Sequence, residues 1–152
     1  MTVTLLANND LVATGFLKAI LGWTSNVGSD LPDAASWSPD GFVQITSGIG
    51  GSSSVYVPRH SPVVSVKCWA RNASASRRPP WPKANNTAEA IRAGCFTAYR
   101  HPVAVTLPAG YPTASVHSAY LLTEPMRLPN DDSAYACYQF NLQLHWTTGV
   151  RS

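Results

Sequence analysis

The sequence predicts an α+β domain: a largely antiparallel or mixed sheet, two amphipathic helices packed on one face, and a long projecting hairpin. Three observations carry this. Residues 134–147 alternate strongly, with Tyr138, Phe140, Leu142, Leu144 and Trp146 on one side and Gln139, Asn141, Gln143 and His145 on the other. Residues 41–70 place two β-branched and aromatic runs on either side of Gly48-Ile-Gly-Gly-Ser-Ser, the sequence form of a hairpin. Two further stretches carry apolar residues at helical spacing, and the segments order as α-β-β-β-α-β-β.

The first helix is expected over residues 11–21, capped by Asp10, with Val12, Phe16 and Ile20 as its apolar stripe and Gly22 as its stop. A weak strand around Val27 and a turn-rich stretch to Gly41 follow. In the second arm of the hairpin Val64, Val66 and Cys68 share one face, and Ser65, Lys67 and Trp69 the other. Pro58 and Pro62 cannot donate to a ladder, so a bend or bulge is expected there. The tip, residues 48–58, should project and find its support on another molecule. Residues 71–82, with three prolines, read as an extended loop.

A second helix is expected from Asn86, with Glu89 completing a capping box, to Tyr99 or Arg100. Ala88, Ile91, Cys95 and Tyr99 form its core stripe, with Phe96 beside it. Residues 116–123 alternate weakly, and residues 124–133 make a polar connection into the final strand.

At 152 residues, with 45% hydrophobic and 12% charged residues, the chain reads as one domain spanning residues 1–152. A typical domain carries about 25% charged residues, so this surface is expected to spend much of its area in contacts. A net charge of +3 is too small to argue nucleic-acid binding alone. Cys68, Cys95 and Cys137 are odd in number and widely spaced, which suits reduced thiols in or near the core and a reducing, cytoplasmic compartment. No apolar run reaches the length of a membrane span, and the first residues lack the pattern of a signal peptide.

Catalytic chemistry finds no foothold. The glycines at 48–51 lead into a strand rather than a helix, so they form a turn and not a phosphate loop. His60, His101, His117 and His145 stand singly, without metal-ligand spacing, and no nucleophile elbow is present. No catalytic residue, cofactor or metal is expected, and the chain reads as no enzyme. The candidate contact residues are Gly48, Val55, Tyr56 and Val57 of the hairpin tip, and Arg71, Arg77, Arg78, Trp81 and Lys83 of the basic loop. The tip suits pairing with a neighbouring subunit. The loop offers forked donors and an aromatic anchor to a protein partner.

Several segments in order carry a resemblance: Val27-Gly-Ser-Asp-Leu-Pro32, Gly41-Phe-Val-Gln-Ile, Pro62-Val-Val-Ser-Val-Lys-Cys-Trp-Ala70, Ala88-Glu-Ala-Ile-Arg92, Glu124-Pro-Met-Arg-Leu-Pro-Asn-Asp-Asp132 and Tyr138-Gln-Phe-Asn-Leu-Gln-Leu144. Together they span most of residues 10–147, and the chain resembles the tail terminator (tail completion) proteins of long-tailed double-stranded DNA phages. The resemblance implies an α+β subunit of a homo-oligomeric ring, commonly a hexamer, without catalytic residues. Such a ring caps the tail tube protein, ends tube polymerisation and joins the head-completion or connector protein. DNA passes through it without sequence-specific binding. Location in the virion neck, after assembly in the host cytoplasm, follows. The long Arg-Pro-Pro-Trp-Pro loop and the low charge depart from the family pattern. Another neck component, a head-completion or stopper protein, is the alternative, and a small nucleic-acid-binding module using the basic loop is the rival from another class.

Overall fold

The computed structural model describes residues 8–33, 36–37, 41–47, 52–53, 59–72, 78–100, 102–111, 113–129 and 134–148. They form an α+β fold: α1 (Asn9–Leu21), β1 (Val27–Gly28), β2 (Phe42–Ser47), β3 (Ser52–Ser53), β4 (Arg59–Ser61), β5 (Val63–Arg71), α2 (Trp81–Arg100), β6 (Val103–Val105), β7 (Ala114–Leu121), β8 (Met126–Arg127) and β9 (Tyr135–Thr148). All strand pairs are antiparallel except β1 with β2.

The strongly alternating final strand is the centre of the sheet. One edge of β9 carries β5 and β4 end to end, the other β7 and β8. Cross-strand rows of apolar side chains run over one face, as in Ile45–Val66–Phe140 and Val64–Leu142–Leu121. Val12, Ala13, Phe16 and Leu17 of α1 and Ala88, Ile91 and Cys95 of α2 complete this core, with Ile20 and Tyr138 packed at its rim. Gly94 permits the close approach of the two helices: a Cβ there would stand 2.7 Å from the Ile20 side chain.

Several local expectations change. Asn8, not Asp10, caps α1, its Oδ1 accepting from the Leu11 N–H at 2.8 Å, so the helix starts at Asn9. Gly22 ends it in the left-handed conformation, as expected (φ 70°). Helix α2 begins at Trp81, five positions before Asn86, so Asn86 and Glu89 form no capping box and Trp81 and Lys83 are helical. Pro82 is tolerated because first-turn N–H groups have no intrahelical acceptor. Phe96, expected beside the core stripe, is 71% exposed.

No register shift marks Pro62: β4 and β5 continue along β9 in one register, and the Leu144 N–H donates to the Pro62 carbonyl at 3.0 Å. The bulge falls instead at His117, between Val116 and Ser118 of β7. Strands β6 and β8 are short additions to stretches that carry no strand pattern of their own.

Candidate interaction surfaces

The sheet's second face is built in two parts. At one end Trp37 closes over Phe42, Trp69 and Tyr135, with ring centroids 5.9–6.4 Å apart. The Trp37 indole N–H donates to the Pro32 carbonyl at 3.0 Å, which fixes the Trp37 ring as a lid on the sheet. Beyond it the face is polar and largely self-satisfied. The Trp69 indole donates to Gln44 Oε1 at 3.1 Å, the Gln139 amide to Ser65 Oγ at 2.9 Å, and the Gln143 amide to the Pro62 carbonyl at 3.1 Å.

Ser61 Oγ and His145 Nδ1 lie 2.8 Å apart on this face. That is nucleophile-to-base distance, but no carboxylate orients the imidazole among the described contacts, so the pair reads as a sheet hydrogen bond. Burial, with the Arg59 cation nearby, holds the His145 pKa below the usual histidine range. The unfolded chain therefore binds this proton more readily than the folded one. Stability linked to His145 is present above the ordinary pKa of about 6.5 and is lost as pH falls through that value toward the lower folded pKa. Between pH 7 and pH 5 the wild-type urea midpoint should fall more steeply than that of His145→Gln. Parallel slopes would remove His145 from the pH response.

Burial raises the pKa of all three thiols, Cys95 and Cys137 to about 12 and Cys68 further. They are free and buried, and at neutral pH they remain protonated and poorly nucleophilic.

The basic loop residues do not gather in one place. Arg78 and Trp81 line a cleft of ≈ 760 Å³ together with Pro79, Pro82, Asn85, Arg127 and Tyr138. The Arg127 guanidinium sits 5.0 Å from the centre of the Trp81 ring, and its Nε donates to Tyr138 Oη at 3.0 Å. Tyr138 meets Trp81 edge to face at 6.0 Å. Trp81 is thereby half-buried against its own sheet, beside the small core of Ala70, Ala84 and Ala136. The Asn72 amide donates to the Arg78 carbonyl at 2.9 Å, just beyond the end of β5. Arg71 lies within β5, opposite Tyr135. Lys83 belongs to a different hollow, with Ile20, Leu21 and Trp23. Arg77 and the tip residues Gly48, Val55, Tyr56 and Val57 lie outside the described residues. Arg127 escaped the sequence reading because its stretch has no periodicity; its only signal was a cation two residues before a proline.

A third surface is a mostly apolar groove of ≈ 550 Å³ between α2 and β7. Phe96 and Cys95 form its helix side, and seven consecutive residues, 118–124, form its strand side. Leu122 is 49% exposed within it, while the Tyr120 ring, 47% exposed, lies 5.9 Å from the His145 ring on the sheet's second face. Arg92 bonds Glu124 across its mouth and lies 3.5 Å from Glu89.

Among the described residues, no group of three or more His, Cys, Asp or Glu side chains could hold a metal, and no helix is long and apolar enough to cross a membrane. No protein-family model matches the chain, and no curated protein matches it.

Proposed function

We propose that the chain is a structural virion protein: a tail terminator that caps a phage tail tube as a ring, ends tube polymerisation and presents the surface for head joining. The observation that carries this reading is the arrangement of the segments that bear the resemblance. They lie as helix, strand, hairpin, helix and strand pair around one sheet, the subunit type the resemblance implies. The low charge and the exposed Phe96, Tyr120, Leu122 and Met126 suit a chain that works in contact with others. Native mass measurement of the purified protein, alone and with tail tubes, tests it. Ring species, commonly of six copies, and tubes that stop growing are expected. A monomer in both settings, with tube growth unchanged, would overturn the reading.

The Arg78–Trp81–Arg127 cleft raises the rival of a nucleic-acid module, since cations beside an aromatic can hold a strand. Arg127 and Tyr138 already pack on Trp81, which leaves the ring poorly placed to stack a base. Docking of a connector protein through the arginines fits the cleft better. The double variant Arg77→Glu with Arg78→Glu should fold and form rings yet fail to join tails to heads. Normal joining with slowed DNA ejection would put the loop in the channel instead.

A further inference from the structure

The groove between α2 and β7 is more than an apolar hollow, because among the described residues part of its strand side is an unpaired sheet edge. Strand β6 covers only the first part of β7, pairing Val103–Val105 with Val116, Ser115 and Ala114. After the bulge at His117, residues 118–121 pair with β9 on one side. On the other side they meet no strand among the described residues. Those same residues line the groove, with Phe96 standing 71% exposed beside them. A free edge flanked by apolar side chains is built to accept an added strand, whose backbone bonds to the edge while alternate side chains enter the groove.

We propose that this edge is the acceptor half of a head-to-tail contact between copies of this chain, and that its occupant is the hairpin tip of a second copy, residues 52–57. The inference rests on the ring reading and deepens it by naming the two surfaces that meet. Three features select this occupant. The first is position: Ser52–Ser53 of β3 lie beyond β4, on the side of β9 opposite β7, so β3 and the groove belong to opposite borders of one sheet. Different patches meeting at opposite borders make a heterologous contact, the kind that closes into a ring. The second is charge. Arg92 and Glu124, the charged residues of the groove lining, pair with each other, so the lining carries no net charge to attract a charged ligand. Residues 48–58 contain no charged side chain. The third is composition: Ser54-Val-Tyr-Val57 is rich in β-branched and aromatic residues and ends at Pro58, as a short added strand would.

The test uses the full chain, carrying one defect per variant, read by native mass measurement. Leu122→Asp and Phe96→Asp damage the acceptor at exposed positions, so both proteins should remain folded. Val55→Asp with Val57→Asp damages the donor. Met126→Asp, at a position 63% exposed but outside the groove lining, serves as the control. Each acceptor or donor variant alone should lose rings, with self-association weakened at least about 30-fold, the smallest change expected for a dominant interface side chain. The control should form rings as the wild type does. An acceptor variant mixed with the donor variant retains one sound contact per pair and should give dimers and nothing larger. Rings that survive Leu122→Asp and Phe96→Asp would overturn this inference and leave the ring reading standing. Loss of rings as described, with tubes neither capped nor joined by the wild type, would keep the contact and overturn the terminator reading. A mixture that yields only monomers, or a wild type that never associates, would overturn the contact.

Discussion

Leu142→Ala is expected to destabilise the fold by about 2–5 kcal/mol, the range for removing a large aliphatic side chain from a core that cannot collapse around the gap. Leu142 is fully buried near the middle of β9. Val64 and Leu121 are its cross-strand neighbours on the two sides, so it has strands at both flanks and helices above. Backbone ladders hold those strands at fixed spacing, and the lost methyl groups cannot be replaced by a small inward shift. For a domain of this size the melting temperature should drop on the order of 10 °C. Denaturant unfolding of the purified variant checks it. A loss well under about 1 kcal/mol would mean that Leu142 does not sit in the core described above.

Gly41→Ala is expected to be nearly as damaging, for a different reason. Gly41 has φ 107°, where a side chain is strained, and a Cβ there would lie 2.1 Å from the Trp69 carbonyl oxygen. The conformation alone costs about 1–3 kcal/mol. The clash adds to that, because the obstructing atom is backbone and Phe42 is paired directly with Trp69. Relief requires the start of β2 to move away from β5, which would also loosen the lid of Trp37 on Phe42. Gly22→Ala provides the comparison: its φ is 70°, but nothing lies within 4 Å of the added carbon. The loss at Gly41 should exceed that at Gly22 by a clear margin. Equal losses would show that backbone strain alone acts at both sites and that the close approach to Trp69 is tolerated.

The legible parts of the fold were those in which a single local rule operated over a long run. Residues 138–147 and 63–71 alternate clearly, and both lie in strands whose apolar face is the core. In β7 the alternation is weak for a physical cause: the bulge at His117 shifts the phase by one residue. The buried set therefore runs Ala114, Val116 and then Ala119. The exposed His117 donates to or accepts from Thr147 Oγ1 at 2.7 Å, a partner thirty residues away in sequence. The start of α2 was misplaced because Asn86 and Glu89 satisfy a capping rule that tertiary packing makes unnecessary. Trp81 packs on Tyr138 while Ala84 is buried beside Ala70 and Ala136, and these contacts carry the helix back through the proline-rich stretch.

The candidate surfaces divide in the same way. Residue types alone marked the arginines and the tryptophan of the basic loop as contact residues. They could not show that Arg127 of β8 would cover Trp81, since that contact joins segments nearly fifty positions apart. The groove was invisible for a related reason: Phe96 falls next to a core stripe, and only the place where β6 stops decides that, among the described residues, the edge beside it is unpaired.

By itself, then, the sequence determined the α+β class, the inward faces of the second hairpin arm and of the final strand, and part of the apolar stripe of each helix, because burial periodicity is written in neighbouring residues. Tertiary structure alone decided which edges are paired, where the bulge falls, which aromatic residues face water and which cations meet an aromatic ring. Those depend on strand register and on where one element ends against another, and such distances are set by the packing of remote segments.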